Sequence, residues 1–178
     1  MSGGDWDGFL AVAFPDREMN VLPYNRLVQD LMGQDAGSLL ERLSRLCVVR
    51  PGGPTPPRAG HASMFLGQAW YDVALPTPVA GASAAESLDV SQLQRMVLAP
   101  LLGIDDPRTN ARIQFVGGAR GTKALEDRVG TGAAAVAFSM FPVSVADLMA
   151  VSDADDIMPP KSTWFEPKLR DGLLSHVI

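Results

Sequence analysis

Lys161-Ser162-Thr163 sits between Pro159-Pro160 and Trp164-Phe165-Glu166-Pro167-Lys168, so two ammonium groups and two hydroxyls ride on a backbone stiffened by prolines. Proline fixes φ and removes an amide donor. The segment Met158–Leu169 is therefore predicted to be a shaped loop, neither helix nor strand. It presents Lys161, Ser162, Thr163 and Lys168 to an anion, with Trp164 and Phe165 as an apolar wall. The same residues also fit a loop that covers the core, anchored by its aromatics with its polar groups turned to water.

Phe115-Val116-Gly117-Gly118-Ala119-Arg120-Gly121-Thr122 is the second such stretch. Three glycines and an arginine joining a strand to a helix suit an anion, because glycine lets backbone N–H groups approach a phosphate and a guanidinium adds a bidentate contact. The spacing matches neither the dinucleotide fingerprint nor the P-loop, and a tight strand-to-helix connection is the simpler account. Asp147, Asp153, Asp155 and Asp156 could offer oxygens to a magnesium ion, but they fit no known loop spacing and read better as a solvated helix end. Asp105, Asp106 and Arg108 ahead of Arg112 read as a local salt bridge in a Pro-containing turn. Cys47, His61 and His176 are too few for a Cys/His zinc site, no metal is expected, and no nucleophilic triad follows from spacing.

The elements that must position these groups follow from apolar periodicity. Phe9–Phe14 reads as a buried strand stopped by Pro15-Asp16, and Asn20–Leu22 as a second extended piece. Tyr24, Leu27, Val28, Leu31 and Met32 fall at helical spacing before Gly33. Ser38 can cap a second helix with Leu39, Leu40, Leu43, Leu46 and Cys47 on one face. A polyproline-like surface loop spans Pro51–Pro57, and Met64–Leu66 with Ala69–Leu75 form a hairpin about Gly67-Gln68.

After a small-residue tract, Val79–Ser87, a helix from Asp89 carries Leu93, Met96, Val97 and Leu101 and bends or ends near Pro100. Arg112–Val116 is predicted as a strand, Thr122–Val129 as a helix and Ala133–Phe141 as a central strand. Ser144 with Asp147 opens a short helix through Val151, and Gly172–Ile178 closes as a strand. Short strands, a hairpin and interspersed helices predict an α+β fold: a mixed, largely antiparallel sheet with amphipathic helices packed on it.

With 178 residues, the chain is expected to form a single domain over 1–178. A net charge of −5 without a basic run argues against nucleic acid, and the chain has no apolar stretch of bilayer length. One cysteine precludes an internal disulfide, and the absence of a signal-like start predicts a cytoplasmic protein.

Leu22-Pro23-Tyr24-Asn25-Arg26, Leu88-Asp89-Val90-Ser91, Leu102–Thr109, Phe115-Val116-Gly117-Gly118, Val136-Ala137-Phe138 and Met158–Leu169 together resemble the DUF1015 family of bacteria and archaea. Members of that family are about twice as long. Their upstream half carries an Asp-Gly-His-His-Arg type motif similar to ParB-like nucleotide-binding domains and to free-serine kinases of that fold. No Gly-His-His-Arg occurs here, so the chain resembles the C-terminal half of such a protein.

The resemblance implies phosphoryl chemistry around serine or phosphoserine for the whole molecule, with Arg112, Gly117, Gly118, Arg120, Lys161, Ser162, Thr163 and Lys168 as anion-binding residues of a shared cleft. Gln114 replaces a frequent acidic residue and Val151–Asp156 departs from the common Ala-Asp-Ala-Gly-Glu pattern, which weakens any metal role there. The expected partners are a small anionic ligand and either an upstream ParB-like domain or a second copy. No cofactor is specified.

Overall fold

A computed structural model describes residues 8–168 together with 170 and 172. Six strands, β2 (Tyr24–Val28), β3 (Val48–Pro51), β4 (His61–Leu66), β5 (Ala69–Ala74), β6 (Ile113–Gly117) and β7 (Val136–Met140), form one sheet in the order β3-β5-β4-β7-β2-β6. Every neighbouring pair is antiparallel, so the fold is α+β and the sheet is wholly antiparallel among the described residues, not mixed. A separate two-stranded ribbon pairs β1 (Asn20–Leu22) with β8 (Trp164–Glu166).

Alternation along the strands builds two apolar layers. Val28, Met64, Leu66, Val73, Val136, Phe138 and Met140 pack with Leu39 and Leu43 of α1 (Ala36–Ser44), Val151 of α6 (Val145–Asp153) and the long helical segment over residues 84–102. That segment comprises α2 (Ala84–Ser87), α3 (Asp89–Leu93), a π-helical stretch (Gln94–Leu98) and α4 (Ala99–Leu102). On the opposite face Leu27, Phe65 and Ala137 meet Leu125 of α5 (Lys123–Gly130). The central strand β7 is buried at every position, as its continuous apolar run predicts.

The hairpin forms where expected, with Gly67 at φ 56° and Gln68 at φ 72°, the left-handed pair that a two-residue turn between twisted strands requires. Ser144 and Asp147 form a reciprocal capping box at α6.

Other expectations are corrected. Tyr24–Met32 is not a helix: its first five residues are β2, which is buried on both faces of the sheet, so Leu27 and Val28 serve opposite layers although their spacing from Tyr24 also satisfies a helical period. Phe9–Phe14 forms no strand and is exposed, Phe9 at 87%. The cap of α1 is Asp35, which accepts from the Ser38 amide at 2.7 Å. Met158–Leu169 is not wholly irregular, because Trp164–Glu166 pairs with β1.

The helix from Asp89 runs past Pro100 to Leu102. The preceding turn widens, with the Ala99 amide donating to Gln94 five residues back, and so makes room for the proline ring that a regular turn would exclude. The strand expected at Gly172–Ile178 lies outside the described residues, Gly172 apart.

Candidate ligand-binding site

Arg26 is a cation in the middle of β2, with Phe115 of β6 opposite it on one side and Phe138 of β7 on the other. Its side chain points to the helical layer and is 4% exposed. One terminal nitrogen donates to the Tyr24 carbonyl at 2.8 Å, the other lies 3.5 Å from the Lys161 carbonyl, and the guanidinium sits 5.6 Å over the Phe115 ring. No carboxylate lies within ion-pair distance of it among the described residues. Burial without a counter-ion pushes its pKa down to about 10, so the group stays cationic at neutral pH. A guanidinium carries five N–H donors, and those not given to the two carbonyls are left for another acceptor.

Arg26 forms part of the wall of a cavity of about 390 Å³. Val79, Ala82, Val90, Pro107, Pro159 and Pro160 supply apolar wall, while Ser91, Gln92, Gln94, Arg95 and Glu86 supply polar groups. Size and lining suit a small organic ligand held by few polar contacts. The π-helical stretch brings Gln94 and Arg95 to this wall; such widened turns recur at functional sites. Arg95 donates to Gln92 at 2.7 Å, and Gln92 in turn donates to the Glu86 carbonyl at 2.7 Å. The Gln94 amide nitrogen is fixed on the Ile104 carbonyl at 2.5 Å, which leaves its buried Oε1 without a donor.

The proline-lysine loop reaches this cavity through Pro159 and Pro160. Lys161, at φ 52°, turns its carbonyl to Arg26 and its Nζ to within 5.6 Å of the Tyr24 ring. Ser162 is buried and Thr163 half-buried, while Lys168 lies over the Trp164 ring at 4.5 Å.

The glycine stretch meets the same loop through packing. A Cβ on Gly117 would stand 2.4 Å from the Trp164 ring, and one on Gly118 would stand 2.7 Å from the Pro23 carbonyl, to which the Gly118 amide donates at 2.8 Å. Arg120 is exposed in the 3-10 turn that follows and lines neither this cavity nor the adjoining one. Arg112 is held by Asp30 (Nη2 to Oδ1 2.7 Å) and donates to the Leu102 carbonyl at 3.0 Å. Of the predicted residues the structure thus gathers Gly117, Lys161 and Lys168 around Trp164 and Tyr24, seats Gly118 against Pro23 and Leu22, and sets Arg112 on its own carboxylate partner.

Sequence reasoning did not single out Arg26 as a site residue. The available signal was a charged side chain between the apolar residues Tyr24 and Leu27-Val28, in a segment short enough to be a strand. Asp106 pairs with Arg108 as expected, at 3.0 Å. Asp147 is used as a helix cap and Asp156 accepts from Ser83; no metal-holding cluster of acidic, His or Cys side chains occurs among the described residues. His61 is not isolated, its Nδ1 lying 2.8 Å from Asp72. No described helix is long and apolar enough to cross a membrane.

None of the curated proteins compared with this chain matches it. Among solved structures, a conserved hypothetical protein from Pyrococcus furiosus is similar at 12% identity and TM-score 0.50, covering 84% of this chain and 57% of its own. A free serine kinase in complex with AMP gives 11% identity and TM-score 0.49, covering 83% and 54%. The chain thus spans little more than half the length of these proteins, and at such identities the likeness concerns the fold alone. The family model of DUF1015, described as a protein of unknown function, matches residues 2–91, half of the sequence. The chain belongs to the DUF1015 family.

Proposed function

We propose that this chain binds a phosphorylated small molecule or nucleotide in the cavity walled by Arg26. The observation that carries this is a fully desolvated guanidinium, without a carboxylate partner among the described residues, beside a cavity of ligand size. A lone buried cation is costly unless something neutralises it, and a phosphate does so with bidentate geometry. Lys161 and Arg95 add charge nearby, and Ser162, Thr163 and Lys168 shape and support the loop. Gly117 lets that loop seat through Trp164, and Gly118 lets the end of β6 pass close to Pro23. Arg120 and Arg112, expected at this cleft from the sequence, take no part in this reading, since neither lines either cavity and Arg112 is held by Asp30.

The 178 residues act as one domain, the C-terminal half of a longer cytoplasmic protein whose chemistry concerns serine or phosphoserine. On this reading the chain by itself binds its ligand without turning it over. Thermal unfolding with inorganic phosphate, phosphoserine, ADP and ATP tests the reading. A ligand at a hundred times its Kd adds about 2.7 kcal/mol to stability, or roughly 5–10 °C in a chain of this size. Arg26→Met must abolish that rise. A rise that persists in the variant places the anion elsewhere.

A second reading, an interaction module that packs on an upstream ParB-like domain or on a second copy, is favoured by one observation. Phe9, Leu10, Val12 and Phe14 are all exposed. Light scattering of the chain against a Phe9→Ser/Leu10→Ser variant tests it: a monomer in both cases removes self-association.

A further inference from the structure

Beside the Arg26 cavity lies a second one of about 410 Å³, and the two share Pro107 and Pro160 as a partition. Its remaining lining is Arg108, Thr109, Asn110, Ala111, Ile113, Phe115 and Lys161. The partition is also spanned electrostatically. Arg26 lines the first cavity, while its guanidinium lies over the ring of Phe115, which lines the second. No carboxylate lines this second space, although the protein has 20 acidic against 15 basic residues. Lys161 contacts the Tyr24 ring and, like Arg26, has no carboxylate partner among the described residues. Arg108 is half committed, holding Asp106 through Nε and Nη2.

Arg26 thus lines one space and Lys161 the other, on the two sides of Pro160, and neither has a carboxylate partner among the described residues. Resting on the reading of the Arg26 cavity above, we propose that the cleft is bipartite. The Lys161 side is a second compartment for an oxyanion, either a second small phosphate- or carboxylate-bearing molecule or the distal anionic group of a ligand whose first phosphate is on Arg26. Ile113 and Phe115 supply apolar lining, Lys161 the charge, and Thr109 and Arg108 further polar groups.

A ligand with two phosphates should exploit both sides at once, because the second contact becomes intramolecular. The test is a calorimetric titration of the full chain with inorganic phosphate and with straight alkane-1,n-diol bisphosphates of two to six carbons. The expected result is that at least one bisphosphate binds about tenfold or more tightly than phosphate. Lys161→Met should remove that excess, bringing the best bisphosphate to within about twofold of the affinity the same variant shows for phosphate, and Lys161→Arg should restore it. A series in which no member exceeds the twofold advantage of simply carrying two phosphates overturns the second compartment and leaves the Arg26 reading standing. An excess that survives Lys161→Met also overturns it. No response to any phosphate overturns both readings.

Discussion

Gly117 lies directly under the indole of Trp164, with no room between them for a methyl group. This relationship joins the end of β6 to the ribbon strand β8 and thereby fixes the point at which the chain leaves Lys161-Ser162-Thr163. Trp164 also meets Tyr24 edge-on at 5.3 Å, so the three residues form one packed corner. Gly117→Ala is expected to destabilise the protein by about 1–3 kcal/mol, the usual cost of overpacking a closed site. Chemical denaturation followed by tryptophan emission checks this, and Gly121→Ala is no substitute control because φ there is positive.

Arg26→Met should separate binding from stability. Burial depresses the arginine's pKa, meaning that the folded state disfavours its charged form. The charge costs stability at every pH below about 10, and the cost fades only as pH rises towards the unfolded value. Replacing the cation with an apolar side chain of similar length is expected to raise the stability of the ligand-free protein by about 1–3 kcal/mol, while phosphate no longer protects it. Urea midpoints with and without phosphate measure both effects, and a variant less stable than the parent would show that its two carbonyl contacts outweigh its desolvation.

Arg120 and Lys161 should part company. Lys161 lines a cavity and Arg120 lines neither of the two, so Lys161→Met is expected to weaken binding of the best bisphosphate about tenfold. Arg120→Met should leave it unchanged. Equal losses in the two variants would return the glycine stretch to the centre of the site.

Acid stability should carry the mark of Asp30. Hydrogen bonds from Arg112 and from the Met32 amide hold its carboxylate below the ordinary value of 3.8. A depressed pKa contributes stability above the unfolded pKa, lost as pH falls through the folded one. Asp30→Asn should therefore cost stability at pH 7 and progressively less below pH 4. Because this aspartate is largely exposed, the difference should be small, and midpoints at pH 3 and pH 7 measure it.

The sequence revealed the α+β class, the β4–β5 hairpin, the strand β7 and the capping box of α6, because each rests on local chemistry: a turn pair, an apolar run, a Ser-x-x-Asp spacing. It misled at β2, where a strand buried on both faces carries apolar residues at positions that also satisfy a helical period. The same burial hid Arg26, since a charge surrounded by apolar neighbours has no pattern of its own until Phe115, Phe138 and Pro160 are brought to it across the chain. The proline-lysine loop was legible as a shaped segment. Its pairing with Asn20–Leu22, more than 140 residues earlier, was not.

The widened turn between Leu93 and Ala99 amounts to one surplus residue wound into an otherwise ordinary helix. Removing one residue there would let the rod wind regularly with its two halves near their present phase, because the wider winding spreads over five residues about the rotation that four cover in a regular helix. The chain would keep its helix and the registration of Leu101 and Leu102 with the interior, and lose the widening that accommodates the Pro100 ring and carries Gln94 and Arg95 to the hollow they face. Length in this stretch is thus constrained more tightly than composition.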